Sequence, residues 1–238
     1  MRILALDTAT ENCSAALLSD GRLVSRERQL PRGHAAHILP MIEEVLGESG
    51  VALAALTAIA FGRGPGAFTG VRLAASIAQG LAYAAGLKVV AVSDLRAVAQ
   101  RLLGLSAAAR RVVVLNDARM HEVYWGCFER AEDDLAAPVG EEHLGSPESV
   151  RLPDAWIRHG AEIGVWAAGN GLAAYPELKL GFAGALADLR EDLLPCAADI
   201  ARLAVPEVLS GRLLPPEEAL PVYLRDDVAR PAGGKSLN

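Results

Sequence analysis

The first hundred residues alternate short apolar runs with polar turns. Short runs with apolar residues and turn residues between them predict strands, and apolar positions at helical spacing predict amphipathic helices. The predicted strands cover residues 3–6, 13–18, 22–30, 58–61 and 88–92. The predicted helices cover residues 34–46, 71–85 and 94–103. Asp20-Gly21, between two of the strands, favours a hairpin turn that needs positive φ.

The opening plan recurs after residue 110. The apolar run 112–115 leads into Asn116-Asp117, and a further strand is predicted at 122–128, just as the run 3–6 leads into Asp7 and the strand 13–18. A repeat of this kind indicates a duplicated fold. We therefore predict two α/β lobes built on a β-β-β-α-β-α-β-α plan, with lobes at 1–105 and 106–238. We also predict a loop at 132–138, a strand at 164–168, a helix at 195–209 and disorder at 230–238.

Between the fourth strand and the second helix lies a glycine-rich loop, residues 62–70. Four glycines and one proline in nine residues exclude the interior of a helix or strand. Backbone amides at a helix start favour anions. The loop matches neither G-x-x-x-x-G-K-[ST] nor a clean G-x-G-x-x-G. A tight crossover whose glycines only permit close packing is an equal alternative.

Composition and charge limit the class of protein. The chain of 238 residues is 52% hydrophobic and 22% charged with a net charge of −6, which is typical of a globular protein without a general basic field for nucleic acid. The three cysteines lack metal-ligand spacing, which suits a reducing compartment. The first apolar run is too short for a signal-peptide core, and no apolar stretch reaches membrane-spanning length. We expect a cytoplasmic protein.

Two lobes that each end a first strand in aspartate match the architecture of actin, the sugar kinases and the heat-shock ATPases. In those folds the aspartate turns hold the phosphates and magnesium of ATP. By spacing, Asp7 and Asp117 are the facing pair, with Thr8 and Thr10 as phosphate-contacting candidates. The alternative is that each aspartate caps its own turn. Because the first turn lacks glycine and the later glycine turn, 169–171, is short, we expect a degenerate nucleotide site.

Other reactive side chains offer little chemistry. His34 and His37 are three residues apart at a helix start, but no nearby side chain completes a metal site. Ser76 and Ser93 are nucleophile candidates by residue type alone, and Ser93 is better explained as a helix cap. We therefore predict neither catalytic residues nor a metal site.

Several segments together resemble the TsaB family of bacterial proteins, which are needed for threonylcarbamoyladenosine synthesis on tRNA. They are ILALDTAT at 3–10, PRGH at 31–34, ILPM at 38–41, GRGPGAFTGVR at 62–72, DARM at 117–120, EVYW at 122–125 and PVYLR at 221–225. The resemblance extends over residues 1–229 and departs at Ala67, where the family usually has serine.

This resemblance implies a non-catalytic scaffold that forms a heterodimer with the catalytic subunit TsaD, recruits the ATPase TsaE and meets tRNA through the complex. It implies a homodimer when the chain is alone. It also implies no cofactor of its own, since ATP and magnesium are used by the partner subunits. The His-x-x-x-His pair of TsaD is absent here. The alternatives are an ATP-dependent kinase or ATPase of the same fold and a metallopeptidase-like glycoprotease.

The family also implies a partner surface on the helices 34–46 and 71–85. The second helix is rich in small residues, which allow another helix to approach closely. The predicted partner-binding residues are His34, Ile38, Met41, Val45, Arg72, Ala75, Ala78, Gln79 and Ala82. The alternative is that their apolar side chains belong to the core.

Overall fold

A computed structural model describes residues 1–158, 164–182 and 184–225. The predicted disorder at 230–238 lies outside these residues. The first sheet contains β1 (Arg2–Asp7), β2 (Asn12–Ser19), β3 (Arg22–Gln29), β4 (Ala58–Gly62) and β5 (Val89–Val92). Its strand order is β3-β2-β1-β4-β5. The hairpin strands β1 to β3 are antiparallel, whereas β4 and β5 are parallel to β1.

The second sheet repeats this topology. Its strands are β6 (Arg111–Arg119), β7 (Glu122–Arg130), β8 (Ala136–Pro138), β9 (His143–Gly145), β10 (Val165–Ala168) and β11 (Leu186–Arg190). The order β8-β7-β6-β10-β11 corresponds strand by strand to the first sheet, and β9 adds to β7. The duplicated α/β plan is therefore confirmed. The loop predicted at 132–138 is wrong in part, because β8 pairs with β7 there.

Helices occupy the connections between the strands. They are α1 (His34–Ser49), α2 (Phe68–Ala85), α3 (Asp94–Leu105), α4 (Asp154–Arg158), α5 (Gly171–Ala174), α6 (Glu177–Gly181) and α7 (Ala197–Leu209), with single 3₁₀ turns at Leu53–Ala55, Pro147–Ser149 and Pro216–Glu218. Among the described helices, none combines the length and the apolar composition that a membrane span requires.

The two sheets share one buried layer. Helices α1 and α2 cover the outer face of the first sheet, whereas α3 and α7 lie between the two sheets. Alternate residues of β1 serve both faces: Leu4 packs with the outer helices, and Ile3 packs with the central layer. Helix α3 contacts the second sheet, and α7 returns to contact the first. The sequence boundary near residue 105 thus separates the strands of the two sheets, while the packing crosses it.

Candidate functional site

A cleft of about 720 Å³ lies where the two halves of the chain meet. Its walls come from the turn after β1, the glycine loop before α2, the turn after β6 and a C-terminal segment at 222–225. Thr8, Thr10 and Asp117 line this cleft, as expected from the duplicated plan. Asp7 is fully buried and is not part of the lining.

All four residues that we expected to contact nucleotide already bond to protein. Asp7 Oδ1 accepts a hydrogen bond from the Ala9 amide at 2.9 Å, and Asp117 Oδ1 accepts one from the Arg119 amide at 2.7 Å. Thr8 Oγ1 donates to the Gly70 carbonyl oxygen at 2.7 Å, and Thr10 Oγ1 accepts from the Asn12 amide at 3.2 Å. Each aspartate therefore caps its own turn, which is the alternative that the sequence left open.

The glycine loop holds α2 tightly against the turn after β1. A Cβ atom on Gly66 would lie 2.6 Å from the Ala9 carbonyl oxygen, and one on Gly70 would overlap the Thr8 carbonyl oxygen. No side chain caps the N-terminus of α2, where Ala67 is the N-cap. The glycines thus allow the close packing that was the alternative explanation of this loop.

Most of the predicted partner-binding residues face the core. Ile38, Met41 and Val45 on α1 are buried, and so are the three alanines of α2, Ala75, Ala78 and Ala82. All six belong to the cluster that covers the outer face of the first sheet. The apolar stripe of each helix thus packs on its own sheet, which is the alternative that the sequence left open, and a partner surface on these helices stays a prediction.

The three polar members of that set lie elsewhere. His34 Nε2 lies 2.8 Å from the Thr10 carbonyl oxygen, and its ring lines the cleft. Gln79 Nε2 donates to the Pro216 carbonyl oxygen at 3.1 Å. Arg72 is exposed on α2. Only Arg72 is thus placed where a partner can reach it fully.

Arg72 packs against two exposed aromatic residues. The Arg72 guanidinium lies 3.6 Å from the centre of the Phe68 ring, and its Nε donates to the Tyr223 hydroxyl at 2.6 Å. Phe68 on α2 and Tyr223 in the C-terminal segment are 47% and 44% exposed and also line the cleft, and Leu39 on α1 and Tyr83 on α2 are 45% and 81% exposed. We call these five residues the outer surface. Of these five residues, sequence reasoning named Arg72 as a partner-binding residue and missed the three aromatic residues.

The remaining predicted residues have separate environments. Ser93 Oγ accepts from the Arg96 amide at 3.1 Å, which confirms the predicted cap of α3. His37 Nδ1 lies 3.4 Å from Arg28 Nη1. Within the described part of the chain, one group of side chains has metal-ligand spacing: His121, Glu148 and Glu177 on the surface, with ligand atoms within 4.8 Å of one another. His34 and His37 do not belong to it.

A pair of buried carboxyl groups was not foreseen. Asp7 and Asp94 are both fully buried. Burial raises the pKa of Asp7 to about 6, against the lowering effect of the Ala9 amide. Burial first, and the neighbouring Asp7 charge second, raise the pKa of Asp94 well above its usual range.

Comparisons with known proteins agree with this fold. A family model described as tRNA N6-adenosine threonylcarbamoyltransferase, TsaD, matches residues 28–213. The tRNA threonylcarbamoyladenosine biosynthesis protein TsaB of Escherichia coli (strain K12) is 42% identical over 234 residues, which cover 96% of each chain. TsaB of Haemophilus influenzae is 39% identical and covers 96% of this chain and 95% of its own.

Solved structures give the same result. A Pseudomonas aeruginosa protein described as having similarity to peptidase YEAZ is 44% identical with a TM-score of 0.83, covering 94% of this chain and 99% of its own. YeaZ from Pseudomonas aeruginosa is 43% identical with a TM-score of 0.81 over the same shares. With sequence relatives and solved structures in agreement over almost the whole length, the chain belongs to the TsaB family.

Proposed function

We propose that this chain takes part in threonylcarbamoyladenosine biosynthesis on tRNA as a non-catalytic scaffold. Its relatives carry that pathway in their names. In this proposal it forms a heterodimer with a TsaD-like catalytic subunit, recruits a TsaE-like ATPase, meets tRNA only within the complex and forms a homodimer when alone. ATP and magnesium are used by the partner subunits, and the complex is cytoplasmic.

The outer surface is the single observation that carries the docking proposal. Arg and Tyr are among the side chains that most often dominate binding energy at interfaces, and Phe is enriched there. Here Arg72 is held between Phe68 and Tyr223, so it loses little conformational freedom on binding. Leu39 and Tyr83 extend the apolar area on α1 and α2. We place the catalytic subunit on this surface instead of on the buried stripes.

The proposal is tested by the affinity for a purified TsaD-like subunit. We expect Arg72→Glu and Tyr83→Glu each to weaken binding at least about thirtyfold, the effect of losing a hot spot worth ~2 kcal/mol. The matched control is Leu180→Glu, because Leu180 is 78% exposed but lies on α6 in the second half of the chain. Unchanged affinity in both α2 variants, with circular dichroism showing intact folding, would refute the assignment.

One observation favours a second candidate, an ATP-dependent activity. The cleft between the two halves has a volume of about 720 Å³, which is within the range of small-molecule sites. Against it, the side chains of Asp7, Thr8, Thr10 and Asp117 already bond to protein. We expect the purified chain with ATP and magnesium to show no hydrolysis above background. A rate that disappears in Thr10→Ala would favour the kinase or ATPase class instead.

A further inference from the structure

The two buried carboxyl groups join three segments of the chain. Asp7 ends β1 and accepts a hydrogen bond from Ala9 in the following turn. Asp94 begins α3, and its Oδ2 accepts the amide of Gly64 in the glycine loop. The turn after β1, the glycine loop and the start of α3 are thus each bound to a member of this pair.

Gly62 shows how close the two carboxyl groups are. A Cβ atom on Gly62 would overlap Asp94 Oδ1 and would lie 2.6 Å from Asp7 Oδ1. Asp7 Oδ2 and Asp94 Oδ1 are both buried and have no hydrogen-bond partner among the described residues, so one proton shared between them would satisfy both oxygens.

Both carboxyl groups cannot be ionised at once in this environment. Two buried like charges in contact repel strongly, and a buried carboxylate without a cation is costly. The charged and titratable groups nearby are His34 on α1, Cys13 on β2 and Glu142 before β9, which acts on Asp94 as a like charge. Arg63 in the glycine loop lies beside Glu142, with Nη2 3.9 Å from Oε2.

We propose that one proton, held by Asp94 and donated to Asp7, fastens the glycine loop to the turn after β1, and that its loss releases this wall of the cleft. Burial raises the pKa of Asp7 to about 6 and raises that of Asp94 well above its usual range, with the Asp7 charge adding to the shift of Asp94, so Asp94 is the group that keeps the proton at neutral pH. Asp7, which the sequence analysis named as a candidate of the nucleotide site, then accepts a hydrogen bond from Asp94 inside the protein.

The direction of the pH dependence follows from burial. The folded pKa of both groups lies above the ordinary value of 3.8. The pair therefore contributes its full stability below pH 3.8, and the contribution decreases as pH rises through about 6 for Asp7 and then through the higher value of Asp94. Glu142, whose pKa is also raised by burial, lies nearby, so the wild type alone does not isolate the pair.

The test is hydrogen exchange of amides 62–70 in the full chain between pH 6 and pH 9, corrected for the intrinsic rate. We expect wild-type protection to fall by about tenfold or more, since the open fraction rises about tenfold for each pH unit between the ordinary pKa of the open state and the raised folded pKa of Asp94. In Asp94→Asn the amide nitrogen donates to Asp7 without titrating, and its oxygen still accepts from Gly64. This variant is expected to change less than about twofold.

A second readout detects the proton itself. The infrared difference between wild type and Asp94→Asn at pH 7 is expected to contain the C=O band of a protonated carboxylic acid. Asp20→Asn is the control, since the Asp20 side chain is exposed and pairs with the N-terminal amine instead of with a buried carboxyl group. Constant protection in wild type, an equal pH slope in Asp94→Asn, or a difference spectrum without the band would each overturn the proposal.

Discussion

The substitution Gly70→Ala tests the contact between α2 and the turn after β1. A Cβ atom there would overlap the Thr8 carbonyl oxygen and would lie 3.0 Å from the Thr8 carbonyl carbon and 3.3 Å from the Ala9 Cα atom. These are backbone atoms, which cannot turn away as the end of a flexible side chain can. The helix must therefore move, and the 2.7 Å bond from Thr8 Oγ1 to the Gly70 carbonyl oxygen weakens with it.

We expect Gly70→Ala to lower the free energy of unfolding by about 0.5–3.5 kcal/mol. Overpacking costs about 1–3 kcal/mol, and the weakened hydrogen bond costs about 0.5–1.5 kcal/mol. The better helix propensity of alanine returns about 1 kcal/mol. Gly80 is the matched control, because it lies in the same helix with no atom within 4 Å of its added Cβ. Gly80→Ala should therefore raise stability by about 1 kcal/mol.

Urea titration followed by far-ultraviolet circular dichroism measures both changes. The two variants should differ by about 1.5–4.5 kcal/mol, which corresponds to at least about 3 °C between their melting temperatures at ~2–4 °C per kcal/mol. If Gly70→Ala and Gly80→Ala stabilise the protein equally, the close approach of α2 to Thr8 is not a real constraint.

Three further results are expected. All three cysteines are buried, and burial raises the pKa to about 11 for Cys13 and to about 12 for Cys127 and Cys196. An aromatic disulfide reagent at pH 8 should therefore modify less than one thiol in the native protein and all three in urea. Trp156→Phe removes the 2.7 Å bond from Nε1 to Glu129 Oε1 and should cost about 1–3 kcal/mol in a denaturant titration, whereas no change would mean that water replaces the bond. Arg225→Ala removes bonds to Glu122 and to the Ala118 carbonyl oxygen and should lower thermal stability by about 1–3 kcal/mol, with a smaller loss in Arg225→Lys.

The local elements were predictable because their signals are local. Asp20 and Gly21 have φ of 49° and 86°, the positive values that the Asp-Gly hairpin turn requires. The first and last residues of the helices were predicted less accurately than the helices themselves. Helix α2 begins at Phe68, three residues before its predicted start, because Thr69 and Gly70 are read as loop residues although they can occupy a first turn. Helix α1 passes through Gly47 and ends at Ser49, followed by Gly50 as a C-cap in the left-handed conformation.

The candidate surface was harder to predict, because one pattern serves two purposes. The stripe through Ile38 and Met41 packs equally well on a sheet or on a partner, and only the tertiary structure shows that the sheet already covers it. Likewise, Asp94 looks like an ordinary acidic residue in the first turn of a helix. Its contact with Asp7 depends on sheet topology, for which a single sequence contains no direct signal.

The path of α7 has a consequence for the nascent chain. The inner face of the first sheet is covered by α7, and the bonds from Asn12 to the Pro195 carbonyl oxygen and from the Ala197 amide to Ser14 each join residues 183 positions apart. During synthesis this face therefore stays bare after α1 and α2 have covered the other. Such distant contacts slow folding and leave apolar strands open to aggregation. A growing chain that has emerged from the ribosome only as far as residue 105 would thus be a substrate for chaperones.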